Sequence, residues 1–565
     1  MLRSRPRGPL RQDSVVSTGT QQGAAPAGLL RSLAPGEQTL ATLLERQAAA
    51  LDRKPLIAAV GGNTLTFREL RDSAATWASM LQAAGLRRGD RVAAVAANPI
   101  QLVELIAGCA WLGAVAVPLD VGIRGAGLAH ALRDSGARAL LVETEHLDAL
   151  ARVPPPASLE HVWLLDRARD HRAHGYRCEP LPPLGDPITA APARPGDTLA
   201  IFYEGAATGA ARGVCSPHAQ LYWWGVHDAE LLELGADDIC LTALPLFRAE
   251  TLASLWSALL AGATLVCAPR FSPARYWRLA AEHGATRTYL AGAMAAALLA
   301  QSRSRDDRRH SIRAALAGAV TPETFEAFRT HFGVELRSGY RSTELGRVTT
   351  RSGQPARADS LGAALGEFEV AVVDPDDAGL PDGLAGELVV RPREPFSVST
   401  GYFGLPEVTA ASLRNAWFHT GARAAREPDG SFTLVEAPSD AIETSAASVA
   451  GSDVERILAE HPDVAGAAVF GVASPGGHED VMAIVVLEPG RELTVIELVE
   501  FCRPRLAPVA LPRYVEISES LPTSVDGVID RAALRRRGAT KDTWDREQSA
   551  FGGRARPARP LPGTR

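Results

Sequence analysis

Apolar residues follow a helical period in some segments of this chain and form short continuous runs in others, and the two kinds of segment alternate. Arg91 to Val95 and Ala114 to Val117 predict short buried strands, with a helix from about Ile100 between them. Strands are also predicted at Asp197 to Tyr203 and at Ala263 to Ala268. Such alternation is typical of α/β layers with largely parallel strands.

The pattern changes after a turn at Glu427 to Gly430. Beyond this turn, strands are predicted at Gly466 to Val472 and Val481 to Leu487, and a helix at Val495 to Cys502 with Thr494 as its N-cap. These short elements fall within about 100 residues, the size of a small domain. They predict a compact α+β unit at the C-terminal end.

The whole pattern predicts an α/β fold, with a large N-terminal domain of layered α/β subdomains and a small α+β C-terminal domain. The large domain is expected at residues 37–434 and the small one at 435–536. Residues 1–36 carry little apolar periodicity and predict a disordered tail. Residues 537–565 are rich in Arg and Pro and predict a second disordered tail.

Composition narrows the classes of function. The net charge of −6 gives no reason to expect nucleic acid or an anionic membrane as a partner. The six cysteines are scattered without a Cys-x-x-Cys pair, which favours a reduced, cytoplasmic setting over a metal or disulfide framework. The longest apolar run, Leu102 to Leu119, is broken by Glu104, Gly108 and Gly113, so no membrane span is predicted.

Several short motifs occur in a fixed order, at Leu65 to Leu70, Gly113 to Asp120, Leu244 to Phe247, Gly386 to Val390 and Gly401 to Phe403. In this order they resemble the superfamily of acyl-CoA synthetases, luciferases and peptide-synthetase adenylation domains. The resemblance runs from about residue 40 to 534, so residues 37–434 resemble an AMP-binding domain. The segment 276–344 is most similar to crotonobetaine/carnitine-CoA ligases.

The resemblance implies two reaction steps. A small carboxylic acid attacks the α-phosphate of ATP, held with Mg²⁺, and forms acyl-AMP and pyrophosphate. The mobile C-terminal domain then rotates, and the thiol of coenzyme A or another pantetheine displaces AMP. A carrier protein or a metabolic partner enzyme is an implied partner. The acyl pocket is expected around Tyr289 to Met294 and Leu316 to Val320.

Two segments match the nucleotide-binding motifs. In the loop of residues 201–214, Thr208, Gly209 and Arg212 retain a hydroxyl, a glycine and a positive charge suited to phosphate. In the second motif, the resemblance implies that Tyr340 stacks on adenine, Thr343 contacts phosphate and Glu344 binds magnesium. These six residues are the predicted nucleotide site, and Glu344 is the predicted metal ligand.

Other positions depart from the family pattern. Glu204 replaces a hydroxyl of the phosphate loop, and at about 5 Å and an effective dielectric constant of about 20 it would repel one phosphate charge by roughly 3 kcal/mol. Lys54 and Lys541 are the only lysines, so arginine in place of lysine carries little weight. Val528, however, stands where the family has its catalytic lysine. The remaining departures are Arg341 for glycine, Ala422 for a ribose-binding aspartate, Ala437 for an arginine, and Ser445 and Ala446 for a glycine pair.

Three hypotheses fit this combination of retained and changed site residues, and whether the chain is an active enzyme stays open. The first is an AMP-forming acid–CoA, or acid–thiol, ligase with a rebuilt nucleotide site. The second is a catalytically degraded homologue that binds a ligand or a partner, because several losses of about 10²–10³ each in rate would remove ligation. The third is ATP-independent acyl transfer on the same scaffold.

Overall fold

The computed structural model describes residues 33–151, 153–166, 171–206, 209–318, 320–352, 360–436, 441–444, 448–474, 478–522, 534–535 and 537–549. Nearly all of the predicted N-terminal tail, residues 1–36, lies outside these ranges.

The helices begin and end at the signals that the sequence carries. Thr66 and Glu69 form a capping box at the start of α2, as do Thr494 and Glu497 at the start of α12, and α3 ends at Gly113 with φ of 77°. The helices are α1 Leu40–Leu51, α2 Phe67–Ala83, α3 Pro99–Leu112, α4 Gly125–Ser135, α5 His218–Leu232, α6 Ala249–Ala261, α7 Tyr276–Glu282, α8 Gly292–Leu299, α9 Pro322–Phe332, α10 Pro406–Ser412, α11 Gly451–Ala459, α12 Val495–Cys502 and α13 Arg546–Ser549.

The strands of the N-terminal half are mostly short and buried, as expected for strands covered on both faces. They are β1 Pro55–Ala59, β2 Thr64–Thr66, β3 Arg91–Val95, β4 Val115–Pro118, β5 Ala139–Val142, β6 His161–Leu164, β7 His171–Ala173, β8 Tyr176–Pro180, β9 Thr198–Ala206, β10 Gly209–Pro217, β11 Ile239–Thr242, β12 Thr264–Cys267, β13 Arg287–Leu290, β14 Ala314–Ala317 and β15 Glu335–Ser338.

The strands that follow mostly form antiparallel pairs. They are β16 Arg341–Ser342, β17 Gly346–Arg347, β18 Thr349–Ser352, β19 Ser360–Ala364, β20 Phe368–Val373, β21 Ala385–Pro392, β22 Phe418–Arg426, β23 Ser431–Glu436, β24 Ala441–Glu443, β25 Ser448–Ala450, β26 Val464–Ala473, β27 Glu479–Leu487, β28 Tyr514–Ile517 and β29 Trp544–Asp545.

Two large sheets form the N-terminal domain. One has the strand order β10-β9-β4-β3-β5-β6-β8-β7, and the other has the order β2-β1-β12-β11-β13-β14-β15-β18-β19-β23-β22-β21-β20. In the first sheet, the strands β9, β4, β3, β5, β6 and β8 are parallel to one another. In the second sheet, the strands β1, β12, β11, β13, β14 and β15 are parallel to one another. The prediction of parallel strands is confirmed there. It is wrong for β18 to β23, which are antiparallel because short turns connect several of them.

The core of the N-terminal domain lies between the two sheets. Helices α1, α2, α3, α5 and α6 share one apolar cluster with Ala94 and Ala116 of the eight-stranded sheet and with Leu265 and Leu316 of the thirteen-stranded sheet. Helix α5 is buried along most of its length and carries Tyr222 and Trp224. Each sheet therefore buries one face against the same layer of helices, which is the layered α/β arrangement that the sequence predicts.

The small C-terminal unit has its own core around α11, α12 and a four-stranded sheet ordered β26-β27-β28-β29. One of its strands, β29, lies inside the predicted disordered tail of residues 537–565, so that prediction is wrong for residues 537–549. Trp544 packs against the core, and Asp545 pairs with Arg513 at 3.4 Å. The rest of that tail, from 550, lies outside the described residues.

The hairpin β16–β17 carries Thr343 and Glu344 at its tip and is seated on α5. Gly346 in this hairpin has φ of 71°, a left-handed conformation that favours glycine. A Cβ atom at Gly346 would overlap Cδ1 and Nε1 of Trp224. The position and the conformation both require glycine, so the indole ring of Trp224 fixes how closely the hairpin approaches the helix.

We therefore expect Gly346→Ala to lower the free energy of unfolding by about 2 kcal/mol or more, since it adds overpacking to backbone strain. Gly366→Ala is the matched control, because no atom lies within 4 Å of a Cβ there. Urea unfolding of both variants measures the difference. Equal stability of the two variants would show that the hairpin can move away from Trp224 without cost.

Candidate functional site

The hairpin β9–β10 forms one wall of the candidate site. Gly209 pairs with Ala206, and Arg212 pairs with Glu204. The segment after Ser399 adds to the free edge of β10, since Cys215 N donates to Gly401 O at 2.9 Å and the Phe403 N–H donates to Gly213 O at 2.7 Å. This pairing brings Tyr402, between Gly401 and Phe403, next to Arg212.

Tyr402 joins two of the predicted site residues. Its hydroxyl donates to Glu344 Oε1 at 3.0 Å, and the Arg212 guanidinium carbon lies 5.6 Å from the centre of its ring. Burial and the Glu344 carboxylate raise the pKa of Tyr402, so the phenol stays protonated and donates at neutral pH. Arg212, Tyr402 and Glu344 thus form one constellation of a cation, a hydroxyl group and a carboxylate.

Gln220 of α5 holds the tip of the β16–β17 hairpin. Its Nε2 donates to the carbonyl oxygens of Thr343 and Glu344, both at 2.9 Å, and Ser399 N donates to Glu344 O at 2.7 Å. Thr343 is buried, and Glu344 is half-buried. The backbone of both predicted residues is therefore fixed by hydrogen bonds from two separate parts of the chain.

Tyr340 lies between the hairpin and the ribose-motif strand β22. It belongs to the apolar clusters of that region and forms a hydrogen bond with Thr420, and burial raises its pKa. Its backbone N–H donates to Thr349 Oγ1 at 2.9 Å. The ring has an apolar surface on which a planar base can stack.

An open cleft of about 560 Å³ runs along these elements. It is lined by Arg212, Glu387, Tyr402, Glu407, Val408, Ala411, Ser412, His419, Thr420 and Gly421. Glu387 accepts from Gly421 N at 3.0 Å and lies 3.0 Å from His419 Nδ1. The cleft therefore connects the Arg212–Tyr402–Glu344 constellation with the segment that matches the ribose motif.

Ala422, which stands where the family has a ribose-binding aspartate, lies away from solvent. Its side chain is fully buried in a cluster with Val372, Leu388 and Phe432. The neighbouring Thr420 Oγ1 accepts from Ala422 N at 3.1 Å and donates to Leu388 O at 2.6 Å. This position therefore offers no hydrogen-bond acceptor to the cleft, as the sequence indicated.

Several predicted positions cannot be placed. Thr208 and Val528 lie outside the described residues, and so do Ala437, Ser445 and Ala446. Glu204 is described only through its backbone pairing with Arg212. The structure thus brings together Arg212, Tyr340, Thr343 and Glu344 of the six predicted nucleotide-site residues, with Gly209 at the start of the same strand as Arg212.

Sequence reasoning missed Tyr402, Gln220 and Glu387 as site residues. Tyr402 and Glu387 lie in two of the motifs that carry the family resemblance, at Gly401 to Phe403 and Gly386 to Val390. Gln220 gave a weaker signal, a buried polar residue in a largely apolar helix. His218, on the same helix, is structural: burial lowers its pKa to about 4, and its neutral ring accepts from Leu40 N at 3.2 Å.

The cleft is separate from the group of metal-ligating side chains found in the described residues. Glu143, Glu145 and His146 lie close enough to share an ion, but the Glu143 carboxylate accepts from the N–H groups of Ala97 and Asn98, both at 2.8 Å. That carboxylate thus accepts hydrogen bonds from the backbone just before the start of α3. Among the described helices, none is long and apolar enough to cross a bilayer.

Comparisons with known proteins show which proteins this chain is similar to. The chain is 32% identical to a feruloyl-CoA synthase from Amycolatopsis sp over 84% of this chain and 94% of that protein. It is 27% identical to a crotonobetaine/carnitine–CoA ligase from Salmonella arizonae over 81% of this chain and 90% of that protein. Among solved structures, an amide bond synthetase from Marinactinospora thermotolerans matches with a TM-score of 0.77 and 25% identity, over 87% of this chain and 99% of that one.

The family models cover both parts of the chain. The model for the C-terminal domain of AMP-binding enzymes matches residues 453–527, which include α11, α12 and β26 to β28. The model for AMP-binding enzymes matches residues 44–403, which include both nucleotide motifs and Tyr402. The chain belongs to the AMP-binding enzyme family.

Proposed function

We propose that this chain is an AMP-forming acid–thiol ligase, which activates a small carboxylic acid as acyl-AMP and transfers the acyl group to a thiol. The observation that carries the proposal is the Arg212–Tyr402–Glu344 constellation at one end of the cleft. A cation and a carboxylate that both lie next to one tyrosine suit a triphosphate that is bound together with a divalent cation. The CoA ligases among the relatives support the same reaction.

Arg212 and Glu344 of the constellation, together with the other four predicted nucleotide-site residues, have proposed parts in adenylation. Arg212 faces the negative charge of the phosphates and replaces the lysine of the family loop. Glu344 is the residue that would hold Mg²⁺, and one carboxylate suffices because Mg²⁺ takes its other ligands from phosphate and water. Tyr340 stacks on the adenine ring, Thr343 contacts phosphate, and Thr208 and Gly209 complete the phosphate loop.

The acid and the acceptor follow from the same comparisons. An aromatic acid is the first candidate, because the more similar of the two reported relatives is a feruloyl-CoA synthase. Coenzyme A, or the pantetheine of a carrier protein, is the first candidate acceptor. The free cysteines of the described residues fit a reducing cytoplasm, where we place the reaction.

An amine is a second candidate acceptor. The likeness to an amide bond synthetase favours it, and so does the replacement of the family's glycine pair by Ser445 and Ala446. In the family resemblance, that glycine pair lets the backbone line the pantetheine tunnel. Loss of the pair affects the thiol more than a small amine.

The direct test is to incubate the full chain with ATP, Mg²⁺ and a panel of acids, and to follow pyrophosphate exchange. Mass spectrometry with coenzyme A in one arm and a primary amine in the other identifies the acceptor. Acid-dependent exchange supports adenylation. No exchange with any acid would contradict the ligase and leave an acyl-binding homologue as the better description.

Val528→Lys tests whether the missing lysine limits adenylation. We expect a faster exchange, by tenfold or more, because one preorganised charge-stabilising donor is worth about 10²–10³ in rate. Val525→Lys adds the same charge three positions earlier and is the matched control. Equal rates for the two variants would show that charge at position 528 does not limit the reaction.

Tyr402→Phe tests the constellation without relying on catalysis. The variant loses a hydrogen bond to a half-buried carboxylate, so we expect the free energy of unfolding to fall by about 1–2 kcal/mol. Tyr176→Phe is the control, since the buried Tyr176 hydroxyl has no hydrogen-bond partner among the described residues. If chemical denaturation gave the same stability for both variants, the Tyr402–Glu344 contact would contribute nothing.

A further inference from the structure

The apolar surroundings of Ala422 raise the question of which group holds the sugar of a bound nucleotide. The Ala422 side chain is fully buried in an apolar cluster and offers nothing to the cleft. In the proposed complex, Tyr340 stacks on the base, whereas Arg212 and Glu344 face the phosphates and their metal ion. The ribose joins these two parts of the nucleotide, so its hydroxyl groups lie along the cleft.

Glu387 of β21 brings a carboxylate to this cleft. Its strand pairs with β22, its side chain is 29% exposed, and it lines the cleft together with Thr420 and Gly421. Thr420 forms a hydrogen bond with Tyr340, and Arg212 lines the same cleft. The Glu387 carboxylate therefore shares one cleft with the residue that faces the phosphates and with the hydrogen-bond partner of the residue that faces the base.

The Glu387 carboxylate is held in place at both of its oxygens. Oε1 accepts from Gly421 N at 3.0 Å, and Oε2 lies 3.0 Å from His419 Nδ1. Arg414 Nη2 lies 3.8 Å from Oε2, beyond hydrogen-bond distance. A carboxylate has about four acceptor positions, so the contacts within the described part of the chain leave about one position on each oxygen. The protein thus orients this group and still leaves it able to accept from a ligand.

There is room for a ligand beside this carboxylate. The cleft that Glu387 lines has a volume of about 560 Å³. The residue whose N–H it accepts, Gly421, is exposed, and no atom lies within 4 Å of where a Cβ atom would stand on it. The wall next to the carboxylate is therefore bare backbone facing open space, which lets a sugar ring approach closely.

We propose that Glu387 binds the 2′- and 3′-hydroxyl groups of the ribose, a contact that rests on the proposed ligase function. Each hydroxyl group donates to one carboxylate oxygen, in the way that ribose hydroxyl groups donate to acidic residues in dinucleotide-binding folds. The hydroxyl groups carry no charge, whereas a phosphate at this place would be repelled by the carboxylate. Glu387 therefore selects the sugar end of the nucleotide and leaves the phosphates to Arg212.

The test is calorimetric binding of two nucleotides, ATP and 2′,3′-dideoxyATP, to the full-length protein in the presence of Mg²⁺. We expect ATP to bind about tenfold more tightly, because a site built to hydrogen-bond a hydroxyl group rejects the analogue that lacks it. Tenfold is at the lower end for hydrogen bonds to a charged group, since this carboxylate is partly exposed. The two nucleotides share the base and the phosphates, so the comparison isolates the ribose hydroxyl groups.

Glu387→Gln is expected to reduce the preference for ATP to about threefold or less, since it removes the charged acceptor and keeps the size. It should weaken the binding of ATP and leave the affinity for 2′,3′-dideoxyATP nearly unchanged, whereas a merely structural role would weaken the binding of both. Glu407→Gln is the matched control, because Glu407 is the second glutamate that lines the cleft. It should keep the preference of the wild type.

Equal affinity of the wild type for ATP and 2′,3′-dideoxyATP would overturn the proposal even if neither variant folds. Equal weakening of both nucleotides by Glu387→Gln would assign a structural role to the carboxylate and overturn it as well. So would an equal loss of preference in the two variants. ATP still binds in each of these cases, so the proposed function stands. No saturable binding of ATP, together with no pyrophosphate exchange with any acid, would overturn the proposed function too.

Discussion

The packing of the β16–β17 hairpin on helix α5 is the constraint on which the rest of the site depends. Gln220 holds the carbonyl groups at the hairpin tip, and Gly346 lies against the indole ring of Trp224. Since α5 is buried between two large sheets, the hairpin is attached to one of the least mobile parts of the domain. Thr343 and Glu344 are thereby placed opposite Tyr402 and Arg212 with little freedom to move.

The departures from the family pattern are unevenly distributed between the parts that position the site and the parts that would contact ATP. The parts that position the site are intact: the buried helix, the glycine at the hairpin, and the strand pairing that brings Tyr402 to Arg212. Two positions that the family resemblance assigns to ATP contacts differ here, since Ala422 faces the apolar core and Val528 stands where the resemblance places a lysine. The cation, the hydroxyl group and the carboxylate of the Arg212–Tyr402–Glu344 constellation remain together beside the cleft. We therefore interpret the site as a rebuilt one rather than an abandoned one.

Much of the fold and part of the candidate site could be predicted from the sequence. The physical reason why a feature could or could not be predicted differs from feature to feature. Capping residues such as Thr66 and Thr494 predicted helix starts correctly because their hydrogen bonds are local. Trp544 was wrongly assigned to a tail because its order depends on a pairing with β28, which no local pattern reveals. The same limit hid Gln220, since its partners Thr343 and Glu344 lie more than a hundred residues away along the chain.

The central claim is that the retained constellation still binds ATP in spite of the changed contacts. Isothermal titration calorimetry of the full chain with ATP, in the presence and absence of Mg²⁺, tests it most directly. We expect saturable binding below about 1 mM, within the usual range of substrate affinity, and tighter binding when Mg²⁺ is present. No saturable binding at several millimolar ATP under either condition would contradict the claim.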